Sequence, residues 1–224
     1  MYRVEDKFFC SEEDFCLLQA RLGAVLKSDA NHDGSYQITS VYFDDWTNSH
    51  LWDTIDGTRV REKYRIRIYN GSFDTIRLEV KQKKDNRVLK KARKISREQM
   101  VDLLEGRCIE DEENSLDSPI TLFNLAIKNR ILRPKTIVEY DRQAYIFDPG
   151  NVRITLDRNL RSSEQIEAFM NGEDIQYDLV RDIDSILEVK YDEFLPGFIA
   201  QLLENGNMVQ TSYSKYRICR KMGE

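Results

Sequence analysis

The segment Arg61-Glu62-Lys63-Tyr64-Arg65-Ile66-Arg67-Ile68 alternates without a break. Successive side chains of a strand point to opposite faces, so Arg61, Lys63, Arg65 and Arg67 share one face and Tyr64, Ile66 and Ile68 the other. The pattern returns in Arg77-Leu78-Glu79-Val80-Lys81-Gln82-Lys83, in Arg153-Ile154-Thr155-Leu156-Asp157 and in Leu187-Glu188-Val189-Lys190-Tyr191. Like charges directly opposite each other repel across a sheet, so an exposed sheet would intersperse the two signs. Here the polar faces are mostly cationic, and acids such as Glu5, Glu79 and Glu188 are few and isolated. If such a sheet closes on itself, the charged faces line a hollow and the aliphatic faces take a cover of helices.

The charge is segregated along the chain as well. Arg59–Glu98 carries 15 basic and 5 acidic residues, whereas the rest has 19 basic and 34 acidic, for a net −5. That balance argues against a general nucleic-acid binder. It suits a small polyanion held by forked, charge-assisted hydrogen bonds. The chain has no GxxxxGK[ST] loop and no kinase signature set, so phosphates would have to be held by side chains. With 224 residues, no linker-like tract and no repeat, residues 1–224 read as a single domain. No apolar run reaches the ~18 residues of a membrane span and no signal peptide opens the chain, which makes a cytoplasmic protein the expectation. Cys10, Cys16, Cys108 and Cys219 form no CxxC pair and are expected to be reduced thiols.

Strands are expected at Tyr2–Phe9, Thr39–Phe43, Tyr64–Tyr69, Thr75–Lys83, Val88–Ile95, Lys135–Arg142, Arg153–Asp157 and Ser185–Tyr191. The turn-like Lys84-Asp85-Asn86-Arg87 predicts a hairpin. Helices are expected at Glu12–Leu26, Arg97–Glu105, Ile120–Ile131 and Leu195–Glu204, with Ser212–Arg220 readable as helix or strand. Glu110–Ser118 reads as the least structured stretch. Asp44 is expected to fix a turn, Glu5 to be a charge partner in the hollow, and His32 and His50 to be surface residues. The fold class is α+β: a mainly antiparallel sheet, read as a barrel with flanking helices.

In order, Arg3-x-Glu5-x-Lys7-Phe8, Ser40-x-Tyr42-Phe43-Asp44, Lys63-Tyr64-Arg65-x-Arg67, Glu79-x-Lys81, Lys91-Ala92-Arg93, Glu139-Tyr140-x-Arg142, Leu187-Glu188-x-Lys190-Tyr191 and Ser214-Lys215-Tyr216 cover essentially the whole chain. This succession resembles the VTC domain, the polyphosphate polymerase domain of the triphosphate tunnel metalloenzymes, relatives of the CYTH phosphatases. The resemblance implies an eight-stranded antiparallel tunnel barrel. It also implies transfer of the γ-phosphate of ATP onto a polyphosphate chain, with Mn²⁺ or Mg²⁺.

Carried over by motif, Arg65, Arg67, Lys81, Arg142 and Lys190 would act on the reacting phosphates. Lys7, Lys63, Lys91, Arg93, Tyr140, Ser214 and Lys215 would bind phosphate. Glu188 would be the principal metal ligand and Glu79 a second. Where the phosphatases open with ExExK this chain has Arg3, which trades a carboxylate for a cation and favours the polymerase-like branch. A metal-dependent triphosphatase and a non-catalytic polyphosphate or nucleotide binder remain as alternatives. ATP and polyphosphate are the expected partners, with no nucleic acid and no membrane segment; a membrane partner and the oligomeric state are left open.

Overall fold

The computed structural model describes residues 3–29, 34–85, 87–113, 115–181, 183–204, 208–212 and 214–220. In chain order the elements are β1 (Arg3–Cys10), α1 (Glu12–Val25), β2 (Lys27–Ser28), β3 (Ser35–Asp44), α2 (Ser49–Ile55), β4 (Val60–Tyr69), β5 (Ser72–Lys84) and β6 (Arg87–Ile95). There follow α3 (Arg97–Leu104), α4 (Pro119–Arg130), β7 (Arg133–Phe147), β8 (Val152–Ser163), α5 (Ile166–Asn171) and β9 (Asp178–Leu179). The chain ends with β10 (Ser185–Tyr191), α6 (Gly197–Leu203), β11 (Val209–Gln210) and α7 (Lys215–Cys219).

Eight long strands pair in the order β7-β3-β4-β5-β6-β1-β10-β8, and β8 pairs back with β7 to close the ring. Every pairing is antiparallel. These are the eight strands expected from the sequence; the short β2, β9 and β11 are additions at the margins. Among the described residues closure is thinnest between β1 and β6, where Arg3 pairs with Val88 and Val4 with Arg87. The β5–β6 hairpin forms as expected, with Lys84 opposite Arg87. Asp85 takes a left-handed φ of 53°, and Asn86 lies outside the described residues.

The aliphatic faces point outward and are covered. Val41, Phe43, Tyr64, Ile66, Leu78 and Val80 pack under α3 and α4, which contribute Met100, Leu103, Phe123 and Ile127. On the other side, Ile154, Leu156, Leu187 and Val189 pack under Phe15, Leu18 and Leu22 of α1 and Ile199 of α6. Helix α1 starts where the sequence puts it. The Ser11 hydroxyl accepts from the Asp14 amide at 3.1 Å and the Asp14 carboxylate accepts from the Ser11 amide at 3.1 Å, a reciprocal cap typically contributing ~1 kcal/mol.

A third apolar cluster sits on the lumen side. Ile38, Tyr42, Val138 and Tyr140 pack there against Tyr216 and Cys219 of α7, with the Tyr42 and Tyr216 rings stacked at 5.2 Å. The ambiguous Ser212–Arg220 stretch thus resolves as a short helix, which the Ser214 hydroxyl caps by accepting from the Arg217 amide.

His50 corrects an expectation. It is 1 % exposed, because the polar-looking stretch after β3 folds as α2 under the control of two aspartates. The Asp44 carboxylate accepts from the amides of Asp45, His50 and Leu51 and from the Tyr216 hydroxyl at 2.6 Å. Asp44 therefore fixes this turn, as expected. His32 lies outside the described residues.

Candidate functional site

The ring encloses a tunnel of about 430 Å³. Among the described residues its lining includes thirteen Lys and Arg side chains and two carboxylates, Glu5 and Glu188. Strand parity accounts for this: the cationic faces recognised in the sequence all turn inward.

Several of the deep cations are held by specific acids. Arg142 is bidentate to Asp157, with both bonds at 2.6 Å, and Lys215 lies 2.7 Å from the same carboxylate. Lys215 also donates to Glu188 at 2.9 Å, and Lys190 donates to Glu188 at 2.7 Å. Burial alone would raise the Glu188 carboxyl, but Lys190, Lys215, Lys7 and Arg142 hold it well below the usual carboxylate range. Burial would likewise raise Asp157, and Arg142 and Lys215 lower it. Glu5 bridges Lys81, at 2.8 and 2.9 Å, and Lys7, at 3.0 Å, the partner role expected of it.

On the opposite wall, Arg65 grips Glu79 through Nε at 2.7 Å and Nη2 at 2.6 Å, and donates to the Tyr42 hydroxyl at 2.8 Å. Lys90 takes the other Glu79 oxygen at 2.8 Å. Arg67 donates to Ser40 Oγ at 3.1 Å and to the Tyr140 hydroxyl at 3.2 Å. Burial would raise the Tyr140 phenol; Arg142 and Arg67 beside it bring it below its ordinary value.

Several lumen amines are left easier to deprotonate than a free lysine. Burial pushes Lys81 down to about 7 despite Glu5, and pushes Lys90 down to about 8 despite Glu79. A further amine, Lys63, donates to Ser214 Oγ at 2.6 Å.

Of the residues singled out from sequence, Lys7, Lys63, Arg65, Arg67, Lys81, Tyr140, Arg142, Glu188, Lys190, Ser214 and Lys215 all line the tunnel. Lys91 and Arg93 do not. They lie opposite Val80 and Leu78 on the ladder, hence on the outer face, and pair there with Asp117 and Glu113. The Lys-Ala-Arg motif has the right spacing on the wrong parity; Lys90, opposite Lys81, is the inward residue. Glu79 is 1 % exposed and shares the inward parity of Lys81, with one oxygen held by Arg65 and the other by Lys90.

Sequence reading passed over Asp157. It ends a recognised alternating run on the same parity as Arg153, a signal that was available. It also passed over Tyr42 and Lys90.

Among the described residues no three metal-ligating side chains cluster. The lumen nevertheless offers two hard oxygen donors, Glu188 and Glu5, linked through Lys7 and Lys190. Divalent ions of the Mg²⁺ kind are bound by one or two carboxylates plus substrate phosphates. The donor set fits such an ion once phosphates share the lumen and draw off the lysines.

The model of the VTC domain family matches residues 2–222. The chain belongs to the VTC domain family. Solved structures share its fold at low identity. The PH1012 protein from Pyrococcus horikoshii OT3 superposes with a TM-score of 0.52 at 13% identity, over 97% of this chain and 99% of that one. A Hippeastrum adenylyl cyclase candidate, HpAC1, with a dominant triphosphatase activity gives 0.51 at 15% identity, covering 90% and 84%. An adenylate cyclase candidate from Bacillus halodurans gives the same values. No curated protein matches significantly. The VTC-family chain therefore has the antiparallel tunnel fold of these proteins. No helix among its described residues is long and apolar enough to cross a membrane.

Proposed function

We propose that this chain is a polyphosphate polymerase-like phosphotransferase, moving the γ-phosphate of ATP onto a polyphosphate chain inside the tunnel. The observation that carries this reading is the lining itself, thirteen cations against two carboxylates. Phosphoryl transfer asks little covalent chemistry of a protein. It asks for alignment and for neutralisation of charge on the equatorial oxygens.

Arg65, Arg67, Lys81, Arg142 and Lys190, from four strands, supply both. Glu79 and Asp157 hold Arg65 and Arg142 in fixed orientations before substrate arrives, which favours catalysis by preorganisation. A terminal oxygen of the acceptor chain attacks the γ-phosphorus, the bond to the β,γ-bridging oxygen breaks, and ADP leaves with the electron pair. The acceptor is already ionised, so this step needs no base. Lys7, Lys63, Lys215, Tyr140 and Ser214 bind the remaining phosphates. Glu188, with Glu5, would hold a divalent ion, Mn²⁺ or Mg²⁺, which would supply further neutralisation of phosphate charge.

Hydrolysis is the second reading, favoured by the fold shared with a protein of dominant triphosphatase activity: the same lining of cations would align a triphosphate for attack by water. Purified protein given ATP and Mn²⁺ separates the two by ³¹P NMR. Mid-chain phosphate signals growing as ADP appears are the expected result. ADP with orthophosphate alone would replace the polymerase reading by the triphosphatase one.

A further inference from the structure

Helix α7 has five residues, too few to hold a helix together in water on their own. It nevertheless carries two groups of the lumen, Ser214 at its cap and Lys215 in its first turn. Lys215 stands 2.7 Å from Asp157 and 2.9 Å from Glu188, and Ser214 Oγ accepts from Lys63 at 2.6 Å. Contacts outside the tunnel lining have to fix the helix in this place.

The main anchor is a carboxylate. Asp44, at the end of β3, is 0 % exposed and does not line the tunnel. Its Oδ1 accepts from the amides of Asp45 and His50, and its Oδ2 from the amide of Leu51 and the Tyr216 hydroxyl. These four donors fill the roughly four lone-pair sites of a carboxylate. Three of them belong to the turn into α2. The fourth makes the shortest bond, 2.6 Å, and reaches 172 positions along the chain to α7. A second tie joins the same two helices at the far end of α7, where Arg220 donates to Asn48 Oδ1 at 2.9 Å.

The Tyr216 ring is 1 % exposed and stacks on Tyr42, whose hydroxyl accepts from Arg65. The Lys63 amine lies 5.9 Å from the centre of the same ring. Lys215 and Tyr216 are successive residues, so the setting of this ring fixes the backbone from which Lys215 projects. Resting on the reading that the lumen holds phosphates, we propose that Asp44 is a positioning residue of the site. Through the Tyr216 hydroxyl it sets where Ser214 and Lys215 stand in the lumen, and so how they meet the ligand. A displacement of about 1 Å in such a group can cost about 100-fold. The buried carboxylate after β3 thus serves the site as well as the turn.

Tyr216→Phe in the full chain tests it, because phenylalanine keeps the ring and its stacking and deletes only the hydroxyl. Hydrogen exchange on the empty protein should show the α7 amides opening at least about tenfold faster, with β7 and β10 unchanged. Titration calorimetry with tripolyphosphate, without metal, should show affinity lowered at least about fivefold. In a Ser214→Ala/Lys215→Met background the same substitution should change affinity by less than about twofold, because the groups it positions are gone. A merely structural role would lower affinity equally in both backgrounds. Asp44→Asn should lower affinity as Tyr216→Phe does, and the two together should cost no more than either alone. Wild-type exchange of α7 in Tyr216→Phe, equal losses in the two backgrounds, or additive losses for Asp44→Asn and Tyr216→Phe would each overturn the positioning role alone. A wild type that binds no tripolyphosphate would remove the phosphate-tunnel reading and the positioning role with it.

Discussion

Asp157→Asn is the sharpest probe of how the tunnel is held open. The carboxylate is 2 % exposed and carries the counter-charge for two buried cations, Arg142 through two 2.6 Å bonds and Lys215 at 2.7 Å. Asparagine keeps the shape and one acceptor oxygen but removes the charge, which isolates the electrostatic part. Breaking a buried pair by deleting one partner costs about 3–5 kcal/mol, because the other charge stays desolvated. For a chain of this length each kcal/mol lowers Tm by roughly 2–4 °C, so a drop of about 6–20 °C is expected in differential scanning calorimetry at pH 7.

Asp157 is held below its unfolded pKa by Arg142 and Lys215, so its contribution is present above about pH 4 and lost as pH falls through the folded value. The gap between wild type and variant should therefore close in acid. Both stranded cations face the lumen, so tripolyphosphate should raise the Tm of the variant more than that of wild type. A drop under about 1 kcal/mol, well below the buried-pair range, or equal ligand stabilisation of both proteins, would refute the reasoning.

Three further outcomes follow from the same geometry. Arg67→Ala should lower phosphotransfer by at least about 100-fold in a coupled ADP assay, with the fold retained by circular dichroism; near-normal turnover would remove Arg67 from the site. Lys91→Ala and Arg93→Ala should leave polyphosphate affinity within about twofold, since they lie outside the barrel; a large loss by calorimetry would contradict the strand parity. The Lys81 amine, at about 7 in the empty lumen, is neutral above that pH and regains its proton when a polyanion binds. Tripolyphosphate affinity should thus fall from pH 7 to 9, and calorimetry in two buffers of different ionisation heat should report proton uptake near pH 8, reduced in Lys81→Met. Absence of uptake would refute the assignment.

The ring of eight strands was legible because its signal is binary: charge inside and aliphatic residues outside, repeated over enough strands to fix the face of each. What parity could not settle was phase in a run such as Lys90-Lys91-Ala92-Arg93-Lys94, where both faces carry cations. Only the register against Leu78 and Val80 shows that Lys90 points in and Lys91 out. Asp157 went unread because one aspartate closing a run looks like a strand end. Its role depends on Arg142 and Lys215, 15 positions before it and 58 after. His50 misled for a related reason: its burial comes from the Asp44 and Asp45 caps and the Tyr64 ring 5.3 Å away, contacts with no periodicity in the sequence. The carboxylates split between lumen and wall by their partners rather than by their strand positions, so Glu79 and Glu188 could not be told apart by pattern.

A crystal structure of the protein soaked with tripolyphosphate tests the central claim most directly. The account predicts phosphate density inside the barrel, within hydrogen-bond distance of Arg65, Arg67, Arg142 and Lys190. An empty lumen with phosphate bound instead on the outer face beside Lys91 and Arg93 would contradict it.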